Sequence, residues 1–361
     1  MPDTLKERIA RHIKMSGPLP LAEYMHWCMA DRKDGYYQSR QTIGRDGDFT
    51  TAPEISQMFG ELIGIWAIKT WEQLGSPESF NLVELGPGRG TLMKDLLRAC
   101  QVSQSFFNAA NVILVETSSL LKETQAQTLS QHENIRWHSS ISEIPEAPTI
   151  LVANEFLDVL PFRQYIKAKD KWHENCVGLD EADELSWVLG TGILDEKSLP
   201  GGHTTEPHGS VFEVSVIREA FVENVASLVA ENSGAALFID YGHAKSGFGD
   251  TFQAIRGHEY IDTLAEPGLC DLTSHVDFEA LKKVALDKGL KTQTLMTQGE
   301  FLLSLGLLER AGNLGSGKDP ATQERLKNEA ERLALPDQMG DLFKVFAFSS
   351  MPELWPFSKE A

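Results

Sequence analysis

A glycine-rich loop between an apolar run and a helix-forming segment constrains the fold of this chain more than any other feature. The run FNLVEL at residues 80–85 leads into GPGRG at 86–90, and a helical pattern covers residues 91–99. Gly86, Gly88 and Gly90 permit backbone angles closed to other residues and let a ligand approach the main chain. The helix N-terminus behind them offers free N–H groups and partial positive charge. We therefore predict a strand–loop–helix ligand site.

Further short apolar runs indicate the sheet to which this loop belongs. Residues 112–116, 150–154 and 234–240 are strand-like, and helical patterns separate them. Strands that alternate with helices predict an α/β fold with a mostly parallel, doubly wound sheet. Residues 162–200 differ, because short β-like pieces flank polar turns there. That pattern predicts an antiparallel extension of the sheet or a β insertion.

The N-terminal part of the chain is predicted to be helical. One helix is expected over residues 4–15, a second from about Leu21 and a long one from Pro53 to about residue 74, with Thr50 or Thr51 as its cap. The glycine-containing stretch 34–52 is predicted to be a loop. We expect an N-terminal helical segment over residues 1–75 and a core over 76–361, with insertions at about 162–200 and 245–340.

The glycine loop alone does not identify its ligand, because nicotinamide and flavin sites share its geometry. Two details favour S-adenosylmethionine. Glu84, two residues before Gly86, could accept a hydrogen bond from the ligand's amino group, whereas an acid there opposes a pyrophosphate. Thr91 and Leu92 also stand where a dinucleotide site carries a close-packing Gly or Ala. A glycine turn without any ligand is the structural alternative.

Acidic and amide side chains end two further strands. Glu116 follows the run NVILV and is placed to bind both ribose hydroxyls, which suits a nicotinamide cofactor equally well; a solvated acid is the alternative. Asn154 and Glu155 end the third strand and should face the reactive end of the cofactor. If the methyl acceptor is a guanidinium, Glu155 and Asp158 together could orient it and hold its charge. Alternatively, Asp158 caps the following turn.

Three weaker candidates have structural explanations of similar weight. Glu213 could be a second substrate carboxylate or a helix-capping acid. Asp240, before Tyr241 and Gly242, could be a site residue or a turn Asp. His275 could be a site residue whose properties its neighbours adjust, or it could be structural. The ten histidines show no metal-binding spacing, so no metal is predicted.

Composition excludes some partners. The formal net charge of −19 argues against non-specific nucleic-acid binding and against docking on an anionic membrane, and it permits an Arg-rich or Lys-rich protein partner. The four cysteines form no CxxC motif, and the N-terminal stretch lacks the apolar core of a signal peptide. We therefore expect a cytoplasmic protein that neither inserts into membranes nor binds nucleic acid.

Several motifs, taken together, are more specific than the loop. They include Gly35-Tyr36-Tyr37, Gly47-Asp48-Phe49-Thr50-Thr51-Ala52-Pro53-Glu54, the glycine loop, Asn154-Glu155-Phe156-Leu157-Asp158, Ile239-Asp240-Tyr241-Gly242 and Asp271-Leu272-Thr273-Ser274-His275-Val276-Asp277-Phe278. With these motifs the chain resembles, over nearly its whole length, the MidA family, which is the mitochondrial complex I assembly-factor type of methyltransferase with its bacterial relatives.

The resemblance implies a Rossmann-like class I methyltransferase core, S-adenosylmethionine as cofactor and a protein arginine as substrate, in the mitochondrial branch on a complex I subunit. It also implies that Thr51, Pro53 and Glu54 approach the cofactor, because the family's N-terminal segment folds over the core. Three alternatives remain beside arginine methylation. The first is a methyltransferase of another substrate class, and the second is an assembly chaperone that binds the cofactor without activity. A nicotinamide oxidoreductase is the third.

Overall fold

The computed structural model describes residues 3–39, 51–202 and 205–357 of the chain. The predicted cap Thr50, most of the predicted loop 34–52 and the motif residues 47–50 lie outside the described residues. The strands are β1 (Leu19–Pro20), β2 (Phe80–Leu85), β3 (Ala110–Val115), β4 (Ile135–His138), β5 (Thr149–Asn154), β6 (Arg163–Ala168), β7 (Lys171–Leu179), β8 (Leu185–Ile193), β9 (Val211–Val214), β10 (Gly234–His243), β11 (Gln253–Arg256), β12 (Glu259–Ile261), β13 (Asp271–Thr273), β14 (Val276–Asp277), β15 (Lys291–Thr292), β16 (Met296–Thr297) and β17 (Phe343–Ser349).

Helices separate most of these strands, and several begin at a side-chain cap that the sequence supplies. Thr4 and Glu7 form a capping box at the first helix, and Ser118 and Asp277 cap two others. The α-helices are α1 (Leu5–Ser16), α2 (Leu21–Ala30), α3 (Tyr36–Ser39), α4 (Ala52–Ile55), α5 (Gln57–Gln73), α6 (Thr91–Cys100), α7 (Gln104–Ala109), α8 (Ser119–Thr128), α9 (Val216–Asn232), α10 (Phe278–Asp287), α11 (Gln298–Ser304), α12 (Leu307–Gly315) and α13 (Pro320–Ala334).

The central sheet has the order β15-β17-β10-β5-β2-β3-β4, with β14 beside β10 and β16 beside β17. The strands from β10 to β4 are parallel neighbours, and β17 pairs antiparallel with β10. From β2 the chain runs outward through β3 to β4, returns to β5 on the other side of β2, and continues to β10. The mostly parallel, doubly wound sheet predicted from the sequence is confirmed. Its direction of winding reverses between β2 and β5.

Both faces of the sheet are covered, as its apolar strands require. Along β10, Leu237 and Ile239 belong to one apolar cluster, and Ala236 and Phe238 belong to the cluster on the opposite face. On the first face, α5 packs against α6 at Gly60, where an added Cβ would lie 2.7 Å from the Asp95 Cβ. This close approach holds the helix that follows the glycine loop firmly in place.

The segment 162–200 forms a β insertion with a sheet of its own rather than an extension of the central sheet. Its order is β1-β7-β6-β9, with β8 on β7, and all pairs are antiparallel. A third, antiparallel sheet has the order β12-β11-β13. Apolar residues of α1 and α2, among them Leu5 and Tyr24, pack with Val177 and Leu272 of these two sheets. The proposed division at residue 75 stays a prediction.

The single helix predicted from Pro53 to about residue 74 is wrong, because the structure contains two helices there. Ser56 lies between α4 and α5 with an extended backbone (φ −154°, ψ 139°), and its hydroxyl accepts the Met58 N–H. Pro53 is in the first turn of α4, as predicted, but the Thr51 side chain makes no capping hydrogen bond. The hydrophobic period continues across Ser56, which explains why the break was missed. No helix within the described ranges is long and apolar enough to cross a membrane.

Candidate active site

The carboxyl ends of β2 and β5 lie side by side where the winding of the sheet reverses. Glu84 pairs in register with Val152, and Leu85 with Ala153. Ligands of open parallel sheets bind at such a switch point, beyond the carboxyl ends of the strands. The glycine loop follows β2 there, and Gly86 has a φ of +56°. A Cβ at Gly86 would lie 2.6 Å from the Phe156 ring, so only glycine fits.

A cavity opens at this point, and we call it the switch-point cavity. Nine of the residues predicted for the site line it: Thr51, Pro53, Glu54, Glu84, Gly86, Gly88, Asn154, Glu155 and Asp158. Gly90 lies at the N-cap of α6 in the left-handed region, behind the cavity. Among the described residues that line the cavity, Arg89 is the one basic residue beside five acidic residues, so the electrostatic character of this lining favours a positively charged ligand.

Glu84 is a buried carboxyl at the end of β2, with 3% of its surface exposed. Burial raises its pKa to about 8, and a hydrogen bond from the Met93 N–H lowers it only in part. Its Oε2 has no hydrogen-bond partner in the described part of the chain. A buried oxygen without a donor is costly, so this one is suited to accept a hydrogen bond from a ligand.

Glu155 adopts a left-handed backbone conformation (φ +49°), which is strained for a residue with a side chain. Its Oε1 accepts the Ala52 N–H at 3.3 Å and the Asn154 amide at 3.0 Å. Loss of water around the carboxyl and, next, the nearby Asp158 raise the pKa of Glu155 to about 7. Such strain is found at active sites, where it holds a group in a fixed orientation.

Asp158 is buried and held by β10. Its Oδ2 accepts the Tyr241 hydroxyl proton at 2.6 Å, and its Oδ1 has no partner among the described residues. Burial raises the pKa of Asp158, and the Tyr241 hydrogen bond lowers it. Asp158 also lines the switch-point cavity. Asp240 Oδ2 accepts the N–H groups of Leu157 and Asp158, so Asp240 supports the site without lining the cavity.

Glu116 lies in a second cavity, on the other side of Gly86. Gly86 lines both cavities, and Phe156 lines the second one, where its ring contacts Phe221 at 4.8 Å between centroids. The Oε1 of Glu116 accepts the N–H groups of Thr117 at 2.7 Å and Ser118 at 2.8 Å. Glu116, the predicted ribose acid, and Glu155 therefore line different cavities that share Gly86. An elongated ligand that contacts both acids has to cross Gly86.

The N-terminal segment contributes one wall of the switch-point cavity. The Thr91 hydroxyl of α6 donates to Glu54 Oε1 at 2.5 Å, which ties α4 to the glycine-loop helix. Sequence reasoning missed Tyr37 and Asp271, which line the cavity and are joined by a hydrogen bond from the Tyr37 hydroxyl to Asp271 Oδ1 at 3.2 Å. It also missed Tyr241. All three belong to motifs quoted above, and that membership was the available signal.

Two weaker candidates lie elsewhere. Glu213 accepts hydrogen bonds from Gln164 and from the N–H and hydroxyl of Thr251, and it lines a different cavity together with His275. Neither residue lines the switch-point cavity, so the prediction that Glu213 is a substrate carboxylate has no geometric support. No group of three or more His, Cys, Asp or Glu residues in the described ranges is arranged to hold a metal ion.

Comparison with known proteins adds an independent line of evidence. A family described as "Putative S-adenosyl-L-methionine-dependent methyltransferase" matches residues 62–296. The chain is 34% identical over 370 residues to the protein arginine methyltransferase NDUFAF7, mitochondrial, of Danio rerio, a match that covers 95% of this chain and 86% of that protein. It is 35% identical to the Homo sapiens protein of the same name, with 93% and 81% covered.

A solved structure matches as well. It is a crystal structure of a Burkholderia thailandensis protein bound to S-adenosyl-homocysteine, with a TM-score of 0.83 and 26% sequence identity. The superposition covers 96% of this chain and 91% of that chain. Similarity therefore extends through the N-terminal segment and the insertions as well as the central sheet.

Proposed function

The chain belongs to this family of S-adenosyl-L-methionine-dependent methyltransferases, and from that premise we propose that it methylates arginine side chains of a protein substrate. The enzyme class, the family and the cofactor predicted from the sequence are confirmed by these matches. The identity of the methyl acceptor and the roles of individual residues are the proposal.

One observation carries this proposal, namely that the walls of the switch-point cavity offer hydrogen-bond acceptors that have no donors. Asn154 Oδ1 and Asp158 Oδ1 are buried and have no partner among the described residues, and the same holds for Glu84 Oε2 on the cofactor side of the cavity. A guanidinium group has five N–H donors, no acceptor and a permanent positive charge, so it complements such walls. A neutral acceptor substrate would not offset the negative charge that Glu155 and Asp158 carry when they are ionised.

The residues around the glycine loop fit the cofactor. When bound, S-adenosylmethionine supplies an electrophilic methyl group on a positively charged sulfur. Glu84 would accept a hydrogen bond from its amino group, as its unpartnered Oε2 indicates. Glu116 would bind the ribose hydroxyls. Thr51, Pro53 and Glu54 would close the site from the N-terminal side, since all three line the switch-point cavity.

Glu155 and Asp158 would hold the guanidinium of the substrate. A carboxylate pair fixes a planar guanidinium through paired N–H···O hydrogen bonds, and this orientation aligns one nitrogen with the methyl group. The attacking nitrogen must also lose a proton. Glu155, whose pKa is raised to about 7, is suited to accept that proton at neutral pH.

The surface charge supports a basic protein partner. At a net charge of −19, the chain attracts Arg-rich or Lys-rich segments over a long range. We include in the proposal a substrate that is a complex I-type subunit, because the resemblance to the MidA family implies it. The cytoplasmic location also remains a proposal, supported by four buried cysteines that form no disulfide with one another.

The experiment uses the purified chain, S-adenosylmethionine with a labelled methyl group, and a panel of arginine-containing peptides. Each peptide is paired with a version in which lysine replaces every arginine. We expect label on arginine, identified by mass spectrometry as a methylated guanidinium nitrogen, and none on the lysine versions. Label on lysine, or on small amines only, would reject the arginine assignment.

A further inference from the structure

Gln125 connects two parts of the site that lie on either side of the glycine loop. It is in α8, and its side chain is fully buried. Its amide Nε2 donates to the Gly88 carbonyl oxygen at 2.8 Å and to Glu116 Oε2 at 3.2 Å. Its Oε1 accepts the Trp137 indole N–H at 2.9 Å. One side chain thus joins the glycine loop, the acid after β3, and β4.

The three partners fix the orientation of this amide. The indole N–H of Trp137 is a donor only, so the amide oxygen must face it. The Gly88 carbonyl and the Glu116 carboxylate are acceptors only, so the NH₂ group must face them. A flipped amide would place a donor against a donor on one side and oxygen against two oxygens on the other. Gln125 therefore has one possible orientation, with every partner satisfied.

The backbone of α8 is also close to the loop. A Cβ added at Gly90 would lie 3.5 Å from the Cα of Gln125. Packing at this point would be equally served by an apolar side chain of similar length, which avoids burying a polar group. The amide therefore has a role beyond filling space, and its two acceptors identify that role.

We propose that Gln125 is a positioning residue for the cofactor, which sets the Gly88 backbone and the Glu116 carboxylate at a fixed separation so that both contact one ligand. This inference rests on the proposed binding roles of Glu116 and the glycine loop. Three hydrogen bonds hold the Glu116 carboxylate in place: Oε1 accepts the N–H groups of Thr117 and Ser118, and Oε2 accepts the Gln125 amide. These three donors leave one of the roughly four lone-pair sites of the carboxylate, on Oε2, for a ribose hydroxyl.

The same contact affects the ionisation of Glu116. Burial raises the pKa of Glu116, and the hydrogen bonds from Ser118, Thr117 and Gln125 lower it, as does the charge of Lys122. Two other acids of the described chain, Glu146 and Glu231, line the second cavity. Loss of the Gln125 donor therefore raises the Glu116 pKa further. A protonated Glu116 is a poorer acceptor for ribose hydroxyls.

The test compares Gln125→Met, Gln125→Glu and the matched control Gln127→Met, which changes an exposed residue of the same helix. Affinity for S-adenosylhomocysteine is measured by calorimetry at about pH 6 and about pH 8. For Gln125→Met we expect a loss of about tenfold, or ~1.4 kcal/mol, at the higher pH. The loss should be larger at the lower pH, because a raised pKa makes a larger fraction of Glu116 protonated there.

For Gln125→Glu, the affinity for S-adenosylhomocysteine should depend on pH in the opposite direction. Two adjacent carboxylates repel each other at high pH, and one proton shared between them restores a hydrogen bond to Glu116 as the pH falls. Its affinity should therefore be lowest at about pH 8 and recover at about pH 6. Gln127→Met should match the wild type at both pH values.

Two outcomes would overturn the inference. If both Gln125 variants bind within about twofold of the wild type, or lose affinity equally at each pH, Gln125 acts through packing alone. Thermal unfolding of the ligand-free variants shows whether they are folded. If the wild type and Gln127→Met also fail to bind S-adenosylhomocysteine, the chain does not bind this ligand and the proposed function fails as well.

Discussion

The Tyr241 hydroxyl donates a hydrogen bond to Asp158 Oδ2 over 2.6 Å, and both side chains are buried. The preceding residue, Asp240, accepts the backbone N–H of Asp158. Two consecutive residues of β10 thus hold the backbone and the carboxylate of one residue in the turn after β5. The second carboxylate of the candidate site is positioned by a neighbouring strand rather than by its own turn.

Tyr241→Phe should slow methyl transfer by about tenfold at neutral pH, which corresponds to one hydrogen bond to a charged group. Because the Tyr241 hydroxyl lowers the pKa of Asp158, its loss raises that pKa, and the rate should recover as the pH increases. Single-turnover rates across a pH series would measure the effect. Tyr260→Phe, at an exposed tyrosine, is the control. A uniform loss at all pH values would contradict the ionisation argument.

Glu155→Gln should reduce methyl transfer at least about 100-fold, because the variant keeps the shape but loses the charge and the proton acceptor. Affinity for S-adenosylhomocysteine should stay within about tenfold. With a Glu155 pKa of about 7, the wild-type rate should rise between about pH 6 and pH 8, and the variant should lack this rise. Glu181→Gln changes an exposed turn and serves as the control. Equal loss of binding and transfer would refute separate roles.

Glu84→Gln should change how the stability of the ligand-free protein depends on pH. The pKa of Glu84 in the folded state, about 8, lies above its usual value. At pH values between these two pKa values, the folded state therefore holds a proton that the unfolded state has released. Glu84 therefore contributes stability at low pH that is lost as the pH rises through about 8, with a slope of ~1.4 kcal/mol per pH unit. Urea unfolding from about pH 5.5 to 8 should show that the free energy of unfolding falls with pH more steeply in the wild type than in Glu84→Gln, by about this slope. Parallel curves would mean that Glu84 is ionised in the folded protein.

Gly86→Ala should abolish measurable cofactor binding, because the new Cβ would lie 2.6 Å from the Phe156 ring at a backbone angle that alanine rarely adopts. Gly75→Ala separates the two causes. Gly75 has a φ of +87° and no atom within 4 Å of an added Cβ, so this variant carries the backbone strain alone. Calorimetry with S-adenosylhomocysteine and thermal unfolding should show destabilisation in both variants and lost binding only in Gly86→Ala. Normal binding by Gly86→Ala would exclude a cofactor over this loop.

The sequence predicted well those features that depend on local pattern. The apolar run of β2 and the glycines after it are adjacent in the chain, and the position of Glu84 near the carboxyl end of its strand follows from strand direction alone. The break at Ser56 was missed, because a helical period cannot reveal a single extended residue between two helices. Thr51, Pro53 and Glu54 were predicted to approach the cofactor from the family resemblance. Their spacing in the chain could not predict that they line the cavity wall.

The sequence by itself determined the order of strands and helices, the glycine loop and the acids at the strand ends, since strand direction places those groups at one edge of the sheet. Only the tertiary structure decided which of them meet. Asp158 depends on Tyr241, which lies 83 residues further along the chain, and Glu116 is separated from Glu155 by Gly86. Hydrogen bonds and burial between distant residues depend on packing, and no periodicity in the chain encodes them.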